Sequence, residues 1–256
     1  MIKYIILLFI FTLSLVAGVI KTPIISIDKS SNTATVKLDN VEVGVSGFIS
    51  HNLSEDSSTI LKDIVVIGYD KANKIATLKM NDFEDLDKNS LPNGNWEVEI
   101  GDTAILAFGY SRALLIAPSE EIYHRITKAS KQVQWIHPDI FTTILSYTGH
   151  PTPLKKDFKK MYDSISIGLI FFYLNQKLFT VDTKSMQVIN ISDAKLKQDS
   201  VKLPFYSRVD EIEANWWGEG SGELDEYEPY YYELLIENNP NNTQLKALYN
   251  EFRAKR

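Results

Sequence analysis

Hydrophobic and polar positions alternate in short runs through the first part of the chain. Ile24 to Ile27, Ala34 to Leu38, Val43 to Ile49, Ile64 to Ile67, Ala76 to Met80 and Ala104 to Phe108 are β-branched or alternating stretches, the pattern of short strands. Turn residues lie between them: Ser30-Ser31-Asn32, Asp70 to Asn73, Asn93-Gly94 and Gly101-Asp102. Ala34, Val36 and Leu38 share one face, as do Ala76, Leu78 and Met80, with Thr35, Lys37, Thr77 and Lys79 opposite. A half-buried antiparallel sheet produces this alternation. The two runs also echo each other without a gap. Ile25, Asp28, Lys29 and Ala34 to Leu38 match Ile67, Asp70, Lys71 and Ala76 to Met80. Any two hairpins with polar turns give such a match, so no duplication follows from it.

The period changes after Arg112. Leu114 to Ile116 predicts a strand, and Pro118 opens a helix with Ile122, Tyr123 and Ile126 at helical spacing. A second helix begins near His137-Pro138-Asp139, buries Ile140, Phe141, Ile144 and Leu145, and ends by Gly149. A third is expected to be capped by Thr152 with Pro153 at its first position. It places Leu154, Phe158, Met161 and Tyr162 on one face and Lys155, Lys156, Lys159 and Lys160 on the solvent side. Two apolar strands follow, Ile165 to Leu174 and Lys177 to Asp182, joined at Asn175-Gln176. Trp216-Trp217 then precede a glycine-rich, charged stretch, read as a loop whose tryptophans dock elsewhere. Tyr227 and Tyr230 to Tyr232 lead into a short helix. After Pro240, Asn242 or Thr243 caps an amphipathic helix with Leu245, Leu248, Tyr249 and Phe252 on one stripe and a basic end. Such a stripe is expected to fold back on its own domain.

These elements predict an α+β fold: a β-rich N-terminal half, barrel-like or sandwich-like, then an α/β half and a C-terminal amphipathic helix. The expected units are a leader over residues 1–18, a β-rich domain over 19–112, an α/β domain over 113–200, an acidic aromatic segment over 201–240 and a basic helix over 241–256. The leader rests on Lys3, an apolar run from Tyr4 to Ala17, and the small residues Val16-Ala17-Gly18. Those are the parts of an export signal, so the chain is expected in the periplasm or at the cell surface. The alternative is an uncleaved anchor, because Tyr4 to Ile20 approaches the roughly 17 residues that span a bilayer. Membrane contact is expected only in that case.

Zero cysteines exclude disulfides, thiolate metal sites, cysteine nucleophiles and a lipid-modified start. A net charge of −6 argues against nucleic-acid binding. Charge is uneven: ten carboxylates and no Lys or Arg lie between Val209 and Glu237, whereas Leu154 to Lys160 holds four lysines. His51, His124, His137 and His150 lack metal-ligand spacing. His137 reads as a helix-entry residue and His150 as a turn residue. Glu219, Glu223, Asp225, Glu226 and Glu228 lack the spacing of a calcium loop, and Ser221 lacks the frame of a hydrolase nucleophile. Sequons at Asn52, Asn190 and Asn241 arise readily in a chain rich in Asn and Ser. The residues therefore point to no enzyme, no metal and no cofactor.

An ordered set of pieces carries a resemblance. Leu115-Ile116-Ala117-Pro118, Glu121-Ile122-Tyr123, Pro138-Asp139, Ser166 to Ile170 and Pro204 to Val209 are joined by Val43 to Gly47 and Gly101-Asp102. From about Ile24 to about Leu235 the chain resembles the plasminogen-binding protein N-terminal domain family of Helicobacter and related epsilon-class proteobacteria. The resemblance implies an exported, non-enzymatic envelope domain with a protein partner, plasminogen. Kringles recognise a terminal lysine through its ammonium and carboxylate. The resemblance also implies a Lys/Glu-rich tail ending in lysine, whereas this sequence runs to Lys255-Arg256. Arginine keeps both charges but presents a wider fork, which predicts weaker binding. Lys155, Lys156, Lys159 and Lys160 are the internal alternative. A second expectation is a periplasmic scaffold or assembly role, resting on the segment from Trp216 and Trp217 to Tyr232.

Overall fold

The structure is a computed structural model that describes residues 18–83 and 96–256. Nearly all of the expected leader, and the Asn93-Gly94 turn, lie outside the described residues. Among the described residues, β1 (Ile20–Asp28), β2 (Thr33–Lys37), β3 (Ser46–Ser54), β4 (Ser57–Asp70), β5 (Ile75–Asp82) and β6 (Thr103–Leu106) close into an antiparallel barrel, in the order β1-β2-β5-β4-β3-β6. Alternation explains the closure: Ile24, Val36, Ile64, Val66, Leu78 and Leu106 fill the interior, while Thr35, Lys37 and Lys79 do not.

The echoing hairpins are β1-β2 and β4-β5. In the first, the Asp28 carboxylate accepts the Ser30 N–H and the hydroxyls of Ser30 and Ser31. In the second, Asp70 accepts the Ala72 N–H and the Asn73 side-chain amide. Each turn then places a residue in the left-handed region, Asn32 at φ 52° and Lys74 at φ 57°. Aspartate supports such turns by bonding backbone groups just beyond itself. The strands β2 and β5 pair about Thr35 and Thr77, which are counterparts in the sequence echo. A local two-fold axis through that pair relates the hairpins.

The chain leaves the barrel at Leu106 and enters a second sheet at Arg112. Its elements are β7 (Arg112–Ile116), α1 (Glu120–Ala129), β8 (Gln134–Ile136), α2 (Pro138–Thr148), α3 (Lys155–Ile165), β9 (Leu169–Leu174), β10 (Lys177–Asp182) and β11 (Val188–Asp193). The strand order is β11-β10-β9-β7-β8, with β7 parallel to β8 and β9 and the remaining pairs antiparallel. Ala113, Leu115, Phe171 and Tyr173 join a core shared with α1 and the barrel. Leu114, Ile116, Ile170 and Phe172 face the other way, into a core with Phe141 of α2 and Phe158 of α3. Both faces are covered, which is why β9 reads as an unbroken apolar run. Two last helices, α4 (Tyr227–Asn238) and α5 (Thr243–Ala254), close this second core. Tyr232 stacks on Tyr249 and Phe252 at 5.2 and 5.7 Å, so the terminal stripe folds back as expected. The molecule is α+β with a barrel in its N-terminal half.

Several local expectations shift. Pro118 stays outside α1, and Ser119 supplies the cap by accepting the Ile122 N–H. Ile140 is 44% exposed, and Thr142 takes the buried place instead. The helix α3 starts two residues late, because the Thr152 hydroxyl donates to the Gly222 carbonyl and Asp157 accepts the Leu154 N–H at 2.8 Å. It then runs to Ile165, where Ser166 turns left-handed at φ 54°, so β9 begins only at Leu169. Gly44 at φ 99° delays β3 to Ser46. The short strands β8 and β11 had no predicted counterpart.

A buried carboxylate pins the barrel to the second sheet. Asp182, at the end of β10, accepts the Ser46 N–H (2.9 Å), the Ser46 hydroxyl (2.7 Å), the Tyr110 hydroxyl (2.7 Å) and the Ser185 N–H (2.7 Å). Burial and the adjacent Asp182 charge push the Tyr110 hydroxyl well above the ordinary tyrosine range. Beside this hub, Lys184 pairs with Asp63 of β4 at 2.5 Å.

Candidate binding cleft

The lysine-rich helix borders a cleft. Helix periodicity turns Phe158 and Met161 of α3 into the core, which leaves Lys155 and Lys156 exposed and Lys159 half-buried. These three lysines line one side of a cleft of about 690 Å³. Glu233 and Glu237 of α4 and Glu219 of the glycine-rich loop line it too, with Thr183 and Lys184 from the turn after β10. The loop is held by Thr152, whose N–H donates to the Gly220 carbonyl at 3.1 Å. Gly220 packs beneath His150, at φ 84°, where a Cβ would come within about 3.0 Å of Leu154 and of the Thr152 carbonyl. Tyr230 closes the floor by donating to the Pro153 carbonyl, and burial raises its hydroxyl above the usual range.

The other sequence-derived candidates lie apart from this cleft. Lys160 sits 4.2 Å over the ring of Tyr147. Lys255 pairs with Glu251 on its own helix at 2.5 Å, lowering the Glu251 carboxyl from its ordinary value. Arg256 makes a two-pronged contact with Glu226, whose carboxyl the guanidinium likewise lowers. Trp216 and Trp217 are 97% and 81% exposed, so the expected docking of the tryptophans does not occur. One backbone bond, from the Thr152 N–H to the Gly220 carbonyl, and the Thr152 hydroxyl on the Gly222 carbonyl anchor the loop in their place.

Sequence reasoning missed two features here. His150 is no simple turn residue: it is buried and holds Asp157 at 2.8 Å, fixing the entry to α3. Thr183 carried no sequence signal at all, being one hydroxyl in a turn. His137 does stand at a helix entry, where its ring accepts the Asp139 N–H. Among the described residues no three His, Asp or Glu side chains converge as a metal site.

Comparison with known proteins narrows the reading. No solved structure matches the chain. Two relatives from Helicobacter pylori strains J99 and 26695, both named plasminogen-binding protein PgbA, are each 26% identical over 199 residues. That overlap is 77% of this chain and 43% of each relative, so the chain spans less than half of their length. A family model described as plasminogen-binding protein pgbA N-terminal matches residues 19–235. Barrel and second sheet both fall inside that span, and the chain belongs to the PgbA N-terminal family.

Proposed function

We propose that the protein is an exported envelope protein that captures plasminogen, or a similar host protein, through surface lysines. The family match over residues 19–235 carries this reading, since the relatives are named for that binding. The α3 lysines are the better contact. Lys255 and Arg256 already hold Glu251 and Glu226, and a kringle would have to break those pairs. Lys155 and Lys156 are exposed on one helical turn, and Glu219 and Glu237 in the same cleft supply the opposite charge.

The test is binding of the purified protein to immobilised plasminogen, with and without a soluble lysine analogue. Saturable binding that the analogue abolishes is expected. Replacing Lys155, Lys156, Lys159 and Lys160 by Gln should weaken it about tenfold or more, on the order of 1.4 kcal/mol. Binding that ignores the analogue overturns the reading. Full affinity in a variant that combines these replacements with removal of the last two residues overturns the named contacts.

A second reading, an envelope scaffold, draws on the 97% and 81% exposure of Trp216 and Trp217 within the carboxylate-rich segment. Adjacent exposed tryptophans suit a protein contact. Protease treatment of intact cells separates the readings, because a chain shielded until the outer membrane is opened has no access to a host protein.

A further inference from the structure

The charges in the α3/α4 cleft are arranged in a way that plasminogen capture does not require. Lys155 and Lys156 occupy the first turn of α3, where the helix dipole already concentrates positive charge and cations lower helix stability. Among the described residues no carboxylate pairs with either lysine, and no cation pairs with Glu219 or Glu237. Opposite charges therefore share one cleft without neutralising each other. At the same cleft, Thr183 is fully buried and its hydroxyl has no hydrogen-bond partner. An unmet buried hydroxyl is costly; among the described residues Thr180, Ser192 and Tyr232 carry others, and of these four Thr183 is the one that lines the cleft.

We propose that this cleft binds a small dipolar ligand with a free carboxylate at one end and a free ammonium at the other, the chemistry of a short peptide with unblocked termini. Its carboxylate lies against Lys155, Lys156 and the open N–H groups that begin α3. Its ammonium lies against Glu219 and Glu237, while Glu233 already accepts the Tyr249 hydroxyl. A peptide group between the two ends meets the Thr183 hydroxyl. The volume of about 690 Å³ falls in the range of small-ligand sites. Charge balance selects the class. A simple anion would leave the glutamates unmet and a simple cation the lysines, whereas Lys184 is already committed to Asp63. The proposal does not rest on plasminogen capture, and its test contains no plasminogen.

The experiment is calorimetric titration of the whole protein with unblocked tetraalanine, its N-acetyl form, its C-terminal amide and the doubly blocked peptide. Saturable binding of the unblocked peptide is expected, weakened about tenfold or more by either block, as loss of a charge-assisted contact predicts. Lys155→Gln with Lys156→Gln should erase the difference between acid and amide. Glu219→Gln with Glu237→Gln should erase the difference between free and acetylated amine. Thr183→Val, which keeps the shape and every charge, should weaken the unblocked peptide severalfold. Tetraalanine that fails to bind at millimolar concentration, or binds no better than its doubly blocked form, overturns the proposal. So does an affinity that none of the three variants changes.

Discussion

Asp182 and Thr183 are consecutive, both fully buried, and treated in opposite ways. The carboxylate of Asp182 collects four donors from Ser46, Tyr110 and Ser185. The hydroxyl of Thr183 collects none. Asp182 belongs to the joint between barrel and sheet, where its carboxylate is met from within the fold. Thr183 borders the cleft, where the proposed ligand would supply what the fold withholds. The neighbouring pair thus sets a buried polar group met within the fold beside one left unmet at the cleft.

The strongest way to break the contrast is Asp182→Ala. Losing the acceptor strands buried donors from both halves of the molecule, and a loss of roughly 3–5 kcal/mol is expected in urea unfolding. Tyr110→Phe removes one of the four donors and should cost about 1 kcal/mol in the same measurement. Thr183→Val should run the other way, leaving the ligand-free protein unchanged or about 0.5–1 kcal/mol more stable, because an unmet hydroxyl is removed without a cavity. If Thr183→Val costs as much as Asp182→Ala, the two positions do not differ in kind. Lys155→Gln with Lys156→Gln should raise stability by a few tenths of a kcal/mol at low salt, as cations leave a helix N-terminus. The smallest effect is in the barrel turn. Hydroxyls and N–H groups of Ser30 and Ser31 hold the Asp28 carboxyl down at about 2, against an ordinary 3.8. A depressed carboxyl stabilises the fold fully above its unfolded value and loses that contribution as pH falls from about 4 towards 2. Asp28→Asn should remove that portion of the acid dependence, read from unfolding midpoints across this range.

Much of the fold was legible because burial is periodic. Ala34, Val36, Ala76 and Leu78 alternate in the sequence and are all buried, and the stripe of Leu245, Tyr249 and Phe252 predicts its own packing. What stayed hidden was short or long-range. The strand β8 has three residues, too few to show a period, and its partner β7 lies on the far side of α1. Closing the barrel pairs Ile20 with Leu106, a register that no local pattern encodes. The lysines of the cleft were legible as a run, but the carboxylates that share it come from a loop and a helix far along the chain. Tryptophan chemistry predicts burial of Trp216 and Trp217. The glycine loop is instead fastened through its backbone, with Gly218 at φ 119° and Gly220 at φ 84°, leaving the rings outside.

The two-fold relation of the hairpins bears on the order of assembly. Each hairpin closes over a short turn, at little entropic cost, and the two can meet through β2 and β5 as soon as both exist. The resulting four-stranded unit still has an open edge at β1. The barrel is completed only by β6, a four-residue strand that pairs with β1 on one side and β3 on the other. β6 is therefore the latch of the barrel: a nascent chain ending before Thr103 carries two unpaired edges of the kind that recruit other strands, and a single short segment shuts both at once.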